Sequence, residues 1–354
     1  MAFELSRLVR DNIRTLTPYS SARVEHAGDA RIFLDANENA FGPPVGIRLN
    51  RYPDPLQASL KERIAAANGV DPLQIFIGNG SDEAIDLLIR IFCRPGIDNI
   101  LTCPPTYGMY EVAAGINDVA VKPARLDEGF GIDVPRVLTT IDRNTKIVFL
   151  CSPNNPTGNL VSHESIRTIA DAFDGIVVVD EAYIHFASRG SLVAELAARP
   201  NLVVLQTLSK AWGLAGLRVG LAFADADVIE LLNKVKPPYN VSEAAQDTAL
   251  EALEIPRHLD ETVRRTLAER KRLTEALSDL VCVERVYPSD ANFLLVKFAD
   301  ARGLHHYLAS KRIVVRDRSG LTGCEQCLRI TVGTEQENDE LILEIENYEK
   351  SLIH

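Results

Sequence analysis

The sequence predicts an α/β fold: a mostly parallel central sheet with helices on both faces, plus a smaller α/β domain. Three observations predict it. Short apolar runs at 75–77, 99–103, 119–123, 146–150, 176–179 and 202–205 read as strands. Helical patterns lie between them, near 162–173 and 191–198. Strands alternating with helices give a parallel sheet covered on both faces. Finally, three successive strands run into Asn155, Asp180 and Lys210. In an open α/β sheet those carboxyl ends lie at one edge, where ligands bind.

Composition sets the bounds. A chain of 354 residues with 46% hydrophobic and 25% charged residues suits one large domain and a smaller one, or two of similar size. A net charge of -11 argues against a broad basic surface for nucleic acid, though not against a local basic pocket. The six cysteines show no framework spacing, so a reduced, cytoplasmic setting is expected. Cys324 and Cys327 form a lone CxxC pair; with no second pair, no metal site is expected. Residues 1–17 lack the apolar core of a signal peptide, and no apolar run approaches the ~20 residues of a membrane helix.

In chain order, residues 1–30 read as an arm that completes the smaller domain. Leu5, Leu8, Val9 and Ile13 are spaced for one weak amphipathic helix. A loop follows in which Tyr19 and Arg23 are placed to reach an anion. Ile32-Phe33-Leu34 reads as a short strand, and Gly42-Pro43-Pro44 as a turn. Arg51-Tyr52-Pro53-Asp54-Pro55 is extended, because residues before proline avoid the helical region. Gly78-Asn79-Gly80-Ser81-Asp82-Glu83 opens a helix whose Ile85, Leu88, Ile89 and Phe92 share one face. Such a turn presents free backbone N–H groups and suits a phosphate; the plainer reading is an N-cap, and one loop can do both. The large domain is expected over 31–255. A long charged helix, 256–279, leads into a small domain over 256–354 with strands at 281–286, 293–298, 313–315 and 328–332.

The stretch Thr207-Leu208-Ser209-Lys210 with Arg218 carries the chemistry. An amine forms a Schiff base with an aldehyde cofactor, and two hydroxyls with a guanidinium suit that cofactor's phosphate. Taken alone, a lysine after a strand is a surface residue. A Schiff-base lysine needs four supports, and the chain offers each. Asp180, at the end of an apolar strand, can hold a proton on a pyridine nitrogen. Asn155 and Tyr183 can donate to a phenolic oxygen, and Tyr107 offers an aromatic face. Gly80, Ser81 and Asp82, with Thr207, Ser209 and Arg218, offer a phosphate cup. Read singly, these residues are caps, turn formers and packing. Their order along the chain, each at a strand end, makes the set.

These pieces resemble the fold-type I pyridoxal-phosphate aminotransferases: the Asn155-Pro156-Thr157-Gly158 turn, Asp180 with Tyr183, and Ser209-Lys210 with Arg218. Within that group the chain resembles the histidinol-phosphate aminotransferases. Leu34-Asp35-Ala36-Asn37-Glu38-Asn39, Arg51-Tyr52-Pro53-Asp54, the 103–110 segment and Cys327-Leu328-Arg329-Ile330-Thr331-Val332-Gly333-Thr334 carry this narrower match, in one register from about 10 to 335. The resemblance implies a fold-type I transferase with Lys210 as the cofactor lysine and Asp180 as partner of the pyridine nitrogen. It implies Asn155 and Tyr183 at the phenolic oxygen and Tyr107 over the ring. Tyr52 would reach the cofactor phosphate in the other subunit of a homodimer. Arg329 would bind substrate acid groups, with Arg316, Tyr19 and Asn37 nearby.

The reaction implied is amino transfer from L-histidinol phosphate to 2-oxoglutarate. The alternatives are an aromatic amino acid aminotransferase and a lyase that decarboxylates a phosphorylated amino acid. Two departures from the family pattern stand out. The segment between Gly42 and Tyr52 is short, and His185 stands where an acidic residue is usual. No catalytic role is expected for His185.

Overall fold

The structure is a computed structural model that describes residues 3–19, 32–46 and 49–353. The large sheet has seven strands: β1 (Ile75–Asn79), β2 (Asn99–Thr102), β3 (Ala120–Pro123), β4 (Thr145–Cys151), β5 (Ile176–Asp180), β6 (Leu202–Thr207) and β7 (Val219–Phe223). Their spatial order is β1-β7-β6-β5-β4-β2-β3. The run from β3 through β2, β4 and β5 to β6 is parallel. β7 alone runs against both its neighbours, β6 and β1.

Strand geometry splits these apolar runs between two cores. Successive side chains of a strand point to opposite faces of the sheet. Val177 and Val179 join Val148, Leu150 and Val204 on one face. Ile176 and Val178 join Ile147, Phe149 and Val203 on the other. Every residue of β5 is buried, as a central parallel strand requires. The helix Ser81–Phe92 lays Ile85, Leu88, Ile89 and Phe92 on the second face. Burying each such side chain is worth roughly 1.5–3 kcal/mol, and this packing fixes the helix start beside the carboxyl ends of the strands.

The smaller sheet contains β8 (Val283–Val286), β9 (Phe293–Phe298), β10 (Arg316–Asp317) and β11 (Cys327–Thr331). Its order is β10-β11-β9-β8, antiparallel throughout. Leu294, Val296, Phe298, Leu328 and Ile330 form its core with the helices Ala301–Ser310 and Glu335–Ile353. The long helix Pro256–Ser278 joins the two units. Leu259, Val263 and Leu267 pack against Tyr183 and Phe293, whereas Leu273 and Leu277 enter the small core.

Several expectations are corrected here. Residues 32–34 carry no strand, and the short strand expected at 313–315 lies instead at Arg316–Asp317. The described part of the arm forms two single-turn helices, Leu5–Leu8 and Asp11–Arg14. It packs on the large unit rather than the small one: Val9 and Ile13 sit among Phe76, Ile85 and Ile89. The Arg10 amide donates to the Ile91 carbonyl at 3.1 Å, and the Lys234 amine to the Arg14 carbonyl at 3.0 Å. Amphipathic spacing shows that a face is apolar, not which core accepts it. Arg23 lies outside the described residues. Among the described residues no helix is long and apolar enough to cross a membrane.

Candidate active site

A cavity of about 300 Å³ opens at the carboxyl ends of the large sheet, roofed by β10 and β11 of the small one. β5 and β6 are parallel neighbours, so Asp180 at the end of one lies beside the segment that carries Lys210 from the other. Asp180 is buried. Its Oδ2 accepts from the Tyr110 hydroxyl at 2.7 Å and its Oδ1 from the Ala182 amide at 3.1 Å. Burial holds the Asp180 carboxyl above its ordinary value, opposed by those two donors and by the Lys210 charge. Tyr110 is fully buried and stacked on Phe149 at 4.7 Å, which fixes the donor. The Lys210 amine lies 5.6 Å from the centre of the Tyr183 ring. Burial first, then the Arg329 guanidinium, lowers its proton affinity.

The second wall is a cup of anion donors. Gly80 precedes the helix Ser81–Phe92 with a positive φ of 74°. Its amide donates to the Arg218 carbonyl at 2.7 Å. A Cβ at Gly80 would meet Arg218 Nη2 at 2.5 Å, so a side chain there would fill the cup. A Cβ at Gly220, in β7, would sit 2.0 Å from the Ser81 amide nitrogen, so the strand and the helix start meet only through glycine. Arg218 itself takes the left-handed conformation at φ 59°, rare for a side-chain-bearing residue and a feature of built sites. Thr207 Oγ1 donates to Ser209 Oγ at 2.9 Å, and the Tyr107 hydroxyl donates to Asp82 at 3.1 Å. Among the described residues the Arg218 guanidinium makes only long contacts, 3.4 Å to the Ala215 carbonyl, 3.5 Å to Ser209 and 3.5 Å to Asp82. A helix start, two hydroxyls and a loosely held guanidinium therefore face one glycine-lined hollow. That donor set fits a phosphate.

The small sheet supplies the third wall. Arg329 Nη1 donates to Asn155 Oδ1 at 2.5 Å, and its guanidinium lies 5.3 Å from the Phe293 ring centre. With Oδ1 engaged, Asn155 keeps its amide hydrogens for a ligand. Arg316 is the cross-strand partner of Arg329 in the β10–β11 ladder. Tyr183 lines the same cavity, with its hydroxyl's proton held more tightly by burial.

Thirteen of the sixteen site residues expected from the sequence thus meet in one cavity. The other three do not line it. Tyr52 is half exposed and stacks on Tyr239 at 4.6 Å. Tyr19 is 75% exposed and borders a separate hollow beside Pro55 and Lys236. Asn37 is exposed, with a φ of 55°. His185 faces Trp212 in another pocket, where burial lowers its proton affinity. Sequence reasoning missed two residues, Tyr110 and Arg318. Tyr110 stands three residues after Tyr107, in the first turn of the helix Met109–Ile116, and Arg318 stands two residues after Arg316. Both spacings were available as signals.

A doubly wound sheet with a lysine, a buried carboxylate and a phosphate cup at its carboxyl edge defines a cofactor-dependent transferase. The chain belongs to the aminotransferase class I and II family, whose model matches residues 46–345. Within it, the chain is similar to histidinol-phosphate aminotransferases. The one from Cytophaga hutchinsonii is 53% identical over 349 residues, covering 98% of this chain and all of the relative. The solved histidinol-phosphate aminotransferase of Clostridium acetobutylicum superposes with a TM-score of 0.80 at 25% identity, covering 86% of this chain and 92% of that one. The fold is shared as well with the enzyme from Sinorhizobium meliloti in complex with pyridoxal-5'-phosphate. That structure gives a TM-score of 0.80 at 24% identity and covers 97% of each chain.

Proposed function

We propose that this enzyme transfers the amino group of L-histidinol phosphate to 2-oxoglutarate, giving imidazole acetol phosphate and glutamate. The carrying observation is one cavity that joins Lys210, buried Asp180 and a glycine-lined phosphate cup to a pair of arginines on a second sheet. The close likeness to histidinol-phosphate aminotransferases supports this substrate. We divide the chain into an arm at 1–30, a cofactor-binding domain at 31–255 and a small domain at 256–354.

When bound, pyridoxal 5'-phosphate supplies an electron sink and carries the amino group between two half-reactions, so the kinetics are ping-pong. Gly80, Ser81, Asp82, Thr207, Ser209 and Arg218 would hold its phosphate, and Tyr107 would cover its ring. Asp180 would face the ring nitrogen and keep its proton there, with Tyr110 and the Ala182 amide fixing the carboxylate. Asn155 and Tyr183 would donate to the phenolic oxygen. Lys210 anchors the cofactor and then moves the proton at the substrate's α-carbon. Its lowered proton affinity favours the neutral amine that this step requires. Arg316 and Arg329 bind substrate anions through bidentate hydrogen bonds. A panel of amino donors offered to the cofactor-loaded protein tests the reading. Histidinol phosphate should discharge the cofactor's absorption band fastest. A faster aromatic amino acid, or carbon dioxide release from threonine phosphate, would overturn it.

The two arginines are assigned different duties. Arg316→Ala should weaken histidinol phosphate more than glutamate, whereas Arg329→Ala should weaken both. Each lost charge-assisted contact should cost about 1.5–3 kcal/mol, or about tenfold and more in kcat/KM. Equal losses on both substrates for both variants would refute the division.

We assign Tyr52 to the site of a second copy, in a cytoplasmic homodimer. The exposed Leu34, Phe41 and Tyr52 leave apolar surface for that copy to cover, and Tyr52 does not line the cavity of its own chain. Tyr19 and Asn37 are assigned to substrate binding in the completed dimer. In a two-fold dimer each site would take Lys210 from one chain and Tyr52 from the other. Mixing Tyr52→Ala with Lys210→Ala chains and letting them reassociate should then give heterodimers with one intact site, and activity above either parent. Heterodimers confirmed by mass but lacking recovered activity would rule out the shared site.

A further inference from the structure

We propose that Arg318 is a specificity-determining residue that reads the third acceptor oxygen of a phosphate-monoester substrate, acting with Arg316 and Arg329; this rests on the substrate reading above. The placement follows from the small sheet. Arg316 stands directly opposite Arg329 in the β10–β11 ladder. The Arg318 amide continues that ladder with a 2.9 Å bond to the Cys327 carbonyl. Residues two apart on an extended strand share a face, so Arg318 projects beside Arg316, and both line the cavity with Arg329.

Like charges opposite one another in a sheet are destabilising, and a third guanidinium on the same face adds to the repulsion. Arg329 has a partner in Asn155. Arg318 has none: among the described residues no acceptor engages its side chain, and its Nε is buried without a hydrogen-bond partner. A buried donor left unpaired is costly unless a ligand completes it. Burial and the charges of Arg329 and Arg316 all loosen the Arg318 proton, which places the three groups in one another's field.

The number of arginines matches a phosphate rather than a carboxylate. One bidentate guanidinium satisfies a carboxylate, which carries one charge on two oxygens. A phosphate monoester carries about −1.5 to −2 and presents three strong acceptor oxygens. Arg218 and the helix start are taken by the cofactor cup on the opposite wall. Arg316 and Arg329 can each meet one of those oxygens, so Arg318 is the guanidinium available for the third, and it should matter little to a substrate whose acid groups are carboxylates.

The test compares half-reactions of the cofactor-loaded wild type, Arg318→Met and Arg318→Lys with histidinol phosphate, histidinol and glutamate. Arg318→Met should lower kcat/KM for histidinol phosphate by about ten- to a hundredfold, mainly through KM. Histidinol and glutamate should change by less than about threefold, and Arg318→Lys should recover part of the loss. Inorganic phosphate should also compete less well against glutamate in the Met variant than in the wild type. Equal losses on all three substrates, or unchanged histidinol phosphate kinetics, would overturn the inference. If Arg318→Met does not fold, the same comparison between wild type and Arg318→Lys decides: a loss confined to histidinol phosphate supports the inference, and an even loss overturns it. Wild-type protein inactive on histidinol phosphate would instead overturn the substrate reading, and this inference with it.

Discussion

Lys210→Ala should abolish turnover and leave the fold intact. The lysine follows β6 by three residues and lines an open cavity, so truncation removes no core packing. Its hydrogen-bonding neighbours in the strand end, Thr207 and Ser209, bond each other and not the amine. The chemistry has no substitute. The other amines with lowered proton affinity, Lys61 and Lys236, lie in a different region beside Asp54. Loss of the proton transfer alone should cost about 10²–10⁴ in kcat, before the loss of the anchor is counted. Thermal unfolding should stay near the wild-type midpoint. A kcat within tenfold of wild type would remove Lys210 from the centre of the mechanism.

Asp180→Ala should be the second most damaging change, for two separable reasons. In the proposed mechanism the carboxylate would keep a proton on the cofactor ring, and removing one preorganised electrostatic partner costs about 10²–10³ in rate. Truncation also leaves the buried Tyr110 hydroxyl without its acceptor, a loss of about 1–3 kcal/mol of stability. Asp180→Asn separates the two effects. It keeps an acceptor oxygen for Tyr110 but carries no charge and turns its amide nitrogen toward the Ala182 N–H, so it should lose less stability than the Ala variant while remaining slow. Asp180→Ala with Tyr110→Phe should regain stability without regaining rate. Near-normal kcat in the Asn variant would show that the charge is not needed.

The central parallel strands β2, β4, β5 and β6 were legible because they are buried on both faces and read as unbroken apolar runs. Ile176 to Val179 needs no context to be read as a strand, and Asp180 is then conspicuous at its end. β7 was not legible. Val219–Phe223 contains Gly220, whose presence weakens the strand pattern and is explained only by the Ser81 backbone pressed against it. Ile32 to Leu34 shows the opposite failure: three apolar residues suggest a strand, but side chains do not supply a hydrogen-bonding edge. Ile32 and Leu34 are largely exposed.

The site divides along the same line. Residues at strand ends, such as Asp180 and Lys210, follow from topology, since a parallel sheet gathers them at one edge. Arg316 and Arg329 lie on a different sheet, and nothing in their local sequence says that β10 and β11 roof this cavity. The family resemblance supplied that placement. Tyr110 escaped notice because a buried tyrosine on a helix reads as packing until its hydroxyl is seen 2.7 Å from Asp180. Arg318 escaped because an Arg-Asp-Arg run reads as solvated charge. Tyr52 was named from resemblance, and in its own chain it stacks on Tyr239.

The central claim is that Lys210 holds the cofactor. Borohydride reduction of the cofactor-loaded enzyme, followed by proteolysis and mass mapping, tests it most directly. The account predicts one stable pyridoxyl adduct per chain, on the peptide containing Thr207-Leu208-Ser209-Lys210, and none in Lys210→Ala. A stoichiometric adduct on any other lysine, with Lys210 unmodified, would contradict it.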